Sequence, residues 1–331
     1  MPLPRTISEV IHGYLQTVQG ARSEHTARAY RNALNAYQAC LAFHHVDAQS
    51  APPSVLDEQS IIWFISYLHQ DDMEYAASTE RLYLTAIVGF FEYLLIEGLE
   101  TLHLTRIRRI IRDRARRPGQ RLPQFPNDDI EKLINNMINL INEQEGSESD
   151  QLRTLRDRAL IIVLADTGLR IHEACKLVRG DIDWQKNFAM VIGKGNSQNI
   201  VRFSGRAMQA LRLYLRARSS LDGSSGKNLG LLPLFARHDK GAGKKIKPIT
   251  PTTGRDIVAA RVLEFLGAEA AHTITPHSFR HYFVTRVLRK SGNLKLAQEL
   301  ARHRNIAVTQ RYAHLADEDL EDRYRDIFEE D

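Results

Sequence analysis

The chain has 331 residues, 43% hydrophobic and 26% charged, with a net charge of +5, the balance of a globular protein long enough for two domains. No apolar run approaches the ~18 residues a membrane span needs, and the N-terminus "MPLPRTISEV" lacks the basic-then-apolar form of a signal peptide. Cys40 and Cys175 lie far apart, which excludes a disulfide scaffold and fits no zinc motif, so a reducing cytoplasm is the expected setting.

The first 110 residues predict helices. Ile7, Val10, Ile11, Tyr14, Leu15 and Val18 recur at helical spacing, and Gly20 is a stop signal. A second helix follows Ser23 as N-cap, and "LDEQSIIWFISYL" and "STERLYLTAIVGFFEYLLIEG" complete a four-helix bundle. Arg28, Arg31 and Arg81 face outward. Residues 106–121 then carry eight arginines against one acid, and Pro118, Pro123 and Pro126 mark a linker. The expected division is an N-terminal helical domain over 1–112, a linker over 113–126, a second domain over 127–316 and an acidic tail over 317–331.

In the second domain, helices are expected over "NDDIEKLINNMINLINEQEG" and "ESDQLRTLRDRALIIVLADTG", the latter ending at a glycine cap before a new helix. The period then changes. Phe188–Ile192 and Ile200–Phe203 are β-rich, and "GKGNSQN" between them makes a hairpin. Helices return for the rest of the domain. The fold class is therefore mainly α with a small β-hairpin or sheet, in two domains.

Basic segments in the linker and the second domain suggest a polyanionic partner. Four places supply the chemistry for one: Arg170 in "TGLRIHEACKL", Lys194 at the hairpin tip, His277 and Arg280 in "TPHSFRHYFVT", and His303 with Tyr312 in "LARHRNIAVTQRYAHL". Thr275 and Pro276 open a helix, which puts His277 and Arg280 on one face beside free N–H groups, a good phosphate site. Two arginines could hold both non-bridging oxygens of a phosphodiester and stabilise a pentavalent transition state, and no carboxylate cluster suggests a metal. A phenol with a pKa of about 10 is a nucleophile whose phosphodiester is also a good leaving group, so the reaction needs no ATP. A hairpin lysine could protonate the departing 5′-oxygen. Neither cofactor nor metal is expected.

Those boxes, in that order, resemble the tyrosine recombinase (phage integrase) family. "SEHTARAYRNALNAYQACL" and "TERLYLTAIVGFFEYLLIEG" resemble the core-binding, SAM-like helical domain of its Xer-type members, and the proline linker falls where the family joins its two domains. The resemblance covers nearly the whole chain. It implies a C-terminal catalytic domain in which Tyr312 attacks the scissile phosphate to give a 3′-phosphotyrosyl link. Arg170, Arg280, His277 and His303 would bind that phosphate, and Lys194 would be the general acid. Glu173 and His281 would support the site. It further implies double-stranded DNA as partner, a dimer on one site, a tetramer in the synapse and a Holliday junction, with the acidic tail docking on a neighbouring protomer. One departure stands out: where the family often reads Leu-Gly-His, this chain has "LARH", and Arg302 is expected to touch DNA or a neighbouring subunit. Arg28, Arg31, Arg81, Arg108, Arg117, Lys244 and Lys245 are further candidate DNA contacts. A type IB topoisomerase and a DNA-binding architectural protein with a decayed site are the alternatives.

Overall fold

The computed structural model describes residues 6–70, 75–99, 103–116, 127–140, 147–192, 198–239, 245–303 and 305–310. Contacts divide the chain into two compact units, Met1–Arg121 and Leu122–Asp331. The protein is mainly α with one small sheet, as its periodicity predicts. No helix among the described residues is long and apolar enough to cross a membrane.

The N-terminal unit contains α1 (Ile7–Ala21), α2 (Glu24–Phe43), α3 (Glu58–Leu68), α4 (Ala77–Ile96) and α5 (Leu104–Arg114). A capping box opens α1, with Thr6 and Glu9 exchanging hydrogen bonds, and the Ser23 hydroxyl caps α2. The expected stripe is inside: Ile7, Val10, Ile11, Tyr14 and Val18 are buried. They join Tyr37, Phe64, Phe90 and Phe91 in one core, where the Tyr37 hydroxyl donates to Ser60 Oγ at 2.8 Å.

The fifth helix departs from the four expected. Residues 106–114 of the basic stretch lie in α5, packed on α3 and α4, and the linker expected over 113–126 overlaps that helix only at Asp113 and Arg114. Its arginines mask a short apolar stripe: Ile107 is buried, and Leu104, Ile110 and Ile111 pack against the core. The helix is fastened past its end by Arg116. That guanidinium donates to the carboxylate of Glu80 at 2.5 Å and to the carbonyls of Leu68 and Tyr75, while its backbone N–H bonds the same carboxylate at 2.9 Å. Glu80 is fully buried and also meets His69 at 3.0 Å.

The C-terminal unit is built round α7 (Glu148–Thr167), whose residues from Ala159 to Ala165 are all buried. A helix apolar on every side must be enclosed, and α6 (Asn127–Asn139), α9 (Gly205–Ala217), α11 (Pro251–Leu266) and α13 (Pro276–Ser291) enclose it. The short α8 (Ile171–Ala174) follows α7 directly, α10 (Ser219–Gly223) follows α9, and α12 (Ala268–Thr273) joins α11 to α13. The chain continues through α14 (Leu294–Ala301) and α15 (Ile306–Gln310).

The sheet has three antiparallel strands in sequence order, β1 (Ile182–Asp183), β2 (Phe188–Ile192) and β3 (Gln198–Arg202). Ala189 pairs with Val201, and alternation sends Ala189, Val191 and Val201 to the core. The last strand starts two residues earlier than its β-rich run predicts, because the backbone pairing continues to Gln198 opposite Ile192.

Candidate active site

The site is organised by Arg280, a side chain only 2% exposed. Thr275 stands at the N-cap of α13 with Pro276 at its first position, and Thr275 N–H donates to Ser278 Oγ at 3.1 Å. At the start of the second turn, Arg280 Nη1 donates to the carbonyl of Gly168 at 2.5 Å, and Nη2 donates to the carbonyl of Ala301. Gly168 caps the C-terminus of α7, and Ala301 is the last residue of α14. Carbonyls at helix ends lack intrahelical partners and carry the negative end of the dipole, so a buried guanidinium suits both. The left-handed turn at Gly168, φ 58°, points its carbonyl there. A Cβ at that position would lie 2.6 Å from the Phe283 ring.

This clasp places the remaining groups. Arg170 follows Gly168 by two residues, Arg302 and His303 follow Ala301, and His277 lies one helical turn before Arg280. Arg170, the N-cap of α8, is 42% exposed through its side chain. Its Nη1 donates to Glu173 Oε1 at 3.0 Å and its backbone N–H to Oε2 at 2.9 Å. Glu173, with a side chain 5% exposed, also accepts from Arg302 Nη2 at 3.0 Å. Burial pushes this carboxyl up, but the Arg170 N–H and the Arg302 and Arg170 guanidinia outweigh it and hold the group below the usual range.

The cations feel one another. Burial, then Arg170 and Arg302, push Arg280 down to about 9, which leaves it charged at neutral pH. Burial followed by Arg280 and Arg170 lowers His277. Burial, then Arg280, Arg170 and Arg302, bring His303 down to about 4. His281 sits edge-on to His277, ring centres 4.1 Å apart, and burial with His277, Arg280 and His303 takes it to about 3. His303 is oriented by Thr309, a fully buried residue whose Oγ1 lies 2.9 Å from Nδ1. At neutral pH the pocket therefore combines neutral imidazoles with crowded guanidinium groups. An oxyanion would relieve that crowding and draw protons onto the rings.

Of the six residues expected to act together, Arg170, His277, Arg280 and His303 share this pocket, while Lys194 and Tyr312 lie outside the described residues. Glu173 and His281 are inside it. Arg28, Arg31, Arg81, Arg108 and Lys245 are exposed, and Arg81 and Arg108 line one cleft among α1, α4 and α5. Arg117 and Lys244 lie outside the described residues. Arg302 corrects the expectation of a surface contact: its side chain is 7% exposed and faces Glu173, because a neighbouring buried carboxylate competes better for it than solvent does. Sequence reasoning missed Thr309 and the two carbonyls that seat Arg280. The glycine of "TGLR" was the one signal for them.

Comparison with known proteins agrees with this arrangement. The profile of the Phage integrase family matches residues 124–319, and that of the phage integrase N-terminal SAM-like domain matches residues 11–98. The tyrosine recombinase XerC of Vibrio vulnificus (strain YJ016) is 30% identical over 328 residues, 98% of this chain and 92% of that protein. The tyrosine recombinase XerD of Listeria monocytogenes serovar 1/2a is 27% identical over 329 residues, 96% of this chain and 98% of its own. Among solved structures, the Tn1549 transposon integrase in complex with transposon right end DNA is similar with a TM-score of 0.67 at 18% identity, over 98% of this chain and 100% of that one. The XerH site-specific recombinase bound to palindromic difH substrate gives 0.65 at 18% identity, over 100% and 99%. With both profiles in register along the chain and a relative at this identity over nearly its full length, the protein belongs to the phage integrase family and is a Xer-like tyrosine site-specific recombinase.

Proposed function

We propose that this recombinase cleaves and rejoins double-stranded DNA through a 3′-phosphotyrosine. The Tyr312 phenol releases its proton to water as its oxygen forms a bond to phosphorus, the bond to the 5′-oxygen breaks, and Lys194 gives that oxygen its proton. Arg170 and Arg280 hold the non-bridging oxygens, with His277 and His303 alongside; all four stabilise the charge that builds at phosphorus. Glu173 and His281 support them. The reverse attack by a 5′-hydroxyl from a second duplex reseals the strand and passes through a Holliday junction. The reading assigns 1–112 to core-binding, 127–316 to catalysis and 317–331 to docking between protomers, with two copies on one site, four in the synapse and the cytoplasm as setting.

One observation carries this reading: Arg280 ties together the ends of α7 and α14, so that Arg170, His277 and His303 surround it. The test is capture from a library of nicked duplexes, followed by sequencing of the DNA left bound to denatured protein. Covalent DNA with the wild type and none with Tyr312→Phe is the expected result. No covalent DNA with the wild type refutes the mechanism. Relaxation of supercoiled plasmid lacking any captured sequence would replace it with the topoisomerase reading.

A further inference from the structure

Arg302 is in an unfavourable place for an arginine. It adopts a left-handed conformation, φ 57° and ψ 42°, at the C-cap of α14, where a side chain costs about 1–2 kcal/mol relative to glycine. Its guanidinium is buried, yet among the described residues Nε and Nη1 have no hydrogen-bond partner. Arg218, by contrast, shows how this chain treats a buried guanidinium that only holds structure. Fully buried, it reaches Asp222, the Tyr214 hydroxyl and the carbonyls of Leu234 and Pro233. Arg158 shares the unused donors, but of the two it is Arg302 that bonds Glu173.

The arrangement around Glu173 gives those spare donors a use. Glu173 Oε1 is held by Arg170 Nη1, and Oε2 by Arg302 Nη2 and the Arg170 backbone N–H. Arg170 is the more exposed partner, 42% against 7%, so its guanidinium is the one able to turn to an incoming anion. If it turned alone, Glu173 would be left as a buried carboxylate short of a partner, which is strongly unfavourable. Arg302 already donates to Oε2, and an adjacent unused N–H of the same fork can donate to Oε1 as it is vacated.

We propose that Arg302 is a positioning residue that takes over Glu173 when Arg170 turns to a phosphate, so that Arg170 reaches the anion without stranding a buried acid. The inference rests on the reading of the pocket as a phosphodiester site. It assigns a specific role to the residue that replaces the family's usual glycine in this chain.

The experiment titrates the full-length protein with inorganic phosphate and follows the His277 and His303 ring signals by NMR, in wild type, Arg302→Gly, Arg302→Lys and the double variant Arg302→Gly with Glu173→Gln. Glycine suits φ 57°, so the glycine variant should keep its melting temperature within a few degrees. Its phosphate Kd should rise about tenfold, because Glu173 now competes undivided for Arg170. Removing the acid in that background should restore Kd to about twofold of wild type, a reversal that a merely structural role would not produce. The lysine variant should fall between, since an ammonium can hold one oxygen but offers no fork. An unchanged Kd in the glycine variant, a rise that Glu173→Gln does not reverse, or a wild type that binds no phosphate would each overturn the proposal. Covalent DNA capture by the wild type, run alongside, judges the recombination mechanism separately: capture with a flat phosphate cycle sinks only the role of Arg302.

Discussion

Replacing Gly168 by alanine should damage the fold by an amount the structure lets one divide into parts. The left-handed φ of 58° costs any side chain about 1–2 kcal/mol. The new Cβ would also meet Phe283 Cδ1 at 2.6 Å and Cγ at 3.0 Å, atoms near the root of a packed ring, and overpacking of that kind adds about 1–3 kcal/mol. The sum is roughly 2–5 kcal/mol. Gly226 provides the control in the same unit: its φ is 68° and nothing lies within 4 Å of its Cβ position, so Gly226→Ala should cost only the backbone part. For a unit of this size, at about 3 °C per kcal/mol, the melting temperature should drop by about 3–6 °C in the control and about 6–15 °C in Gly168→Ala. The chain has two tryptophans, Trp63 and Trp184, so a Trp63→Phe background leaves Trp184 fluorescence to report the C-terminal unit alone. Phe283→Leu added to Gly168→Ala should recover part of the loss by vacating the ring. Equal shifts at Gly168 and Gly226, or no recovery with Phe283→Leu, would refute the packing argument.

Two further outcomes are expected. Glu80→Ala should destabilise the N-terminal unit by about 2–3 kcal/mol, since it removes charge-assisted bonds to Arg116 and His69; hydrogen exchange should then show α5 opening before the rest. Acid should weaken the C-terminal unit. His303 and His238 are held near 4 and His281 near 3, whereas unfolded imidazoles titrate at about 6.5. Between those values the unfolded chain binds more protons, so stability rises with pH across that window and is lost as pH falls from about 6.5 towards 4. Denaturant midpoints measured across the window check the slope, and His303→Gln should flatten it.

Much of this was legible because it depends on local chemistry. Apolar spacing located the first four helices, Thr275–Pro276 fixed the start of α13, and Gly168 announced a left-handed cap. The four described pocket residues followed from box order. What the sequence hid was non-local. The eight arginines of 106–121 concealed the stripe that docks α5, and no spacing rule links Arg116 to Glu80, 36 residues away. Arg302 misled for the same reason: a surplus cation reads as surface until a buried carboxylate, 129 residues earlier, is seen to claim it.

The hold of Arg280 on two helix ends has a mechanical consequence. A guanidinium that stitches α7 to α14 cannot keep its seat once those ends part. Loosening this corner would therefore unseat Arg280 from both helix ends at once and release the placement of Arg170, His277 and His303 with it, although every side chain stays intact.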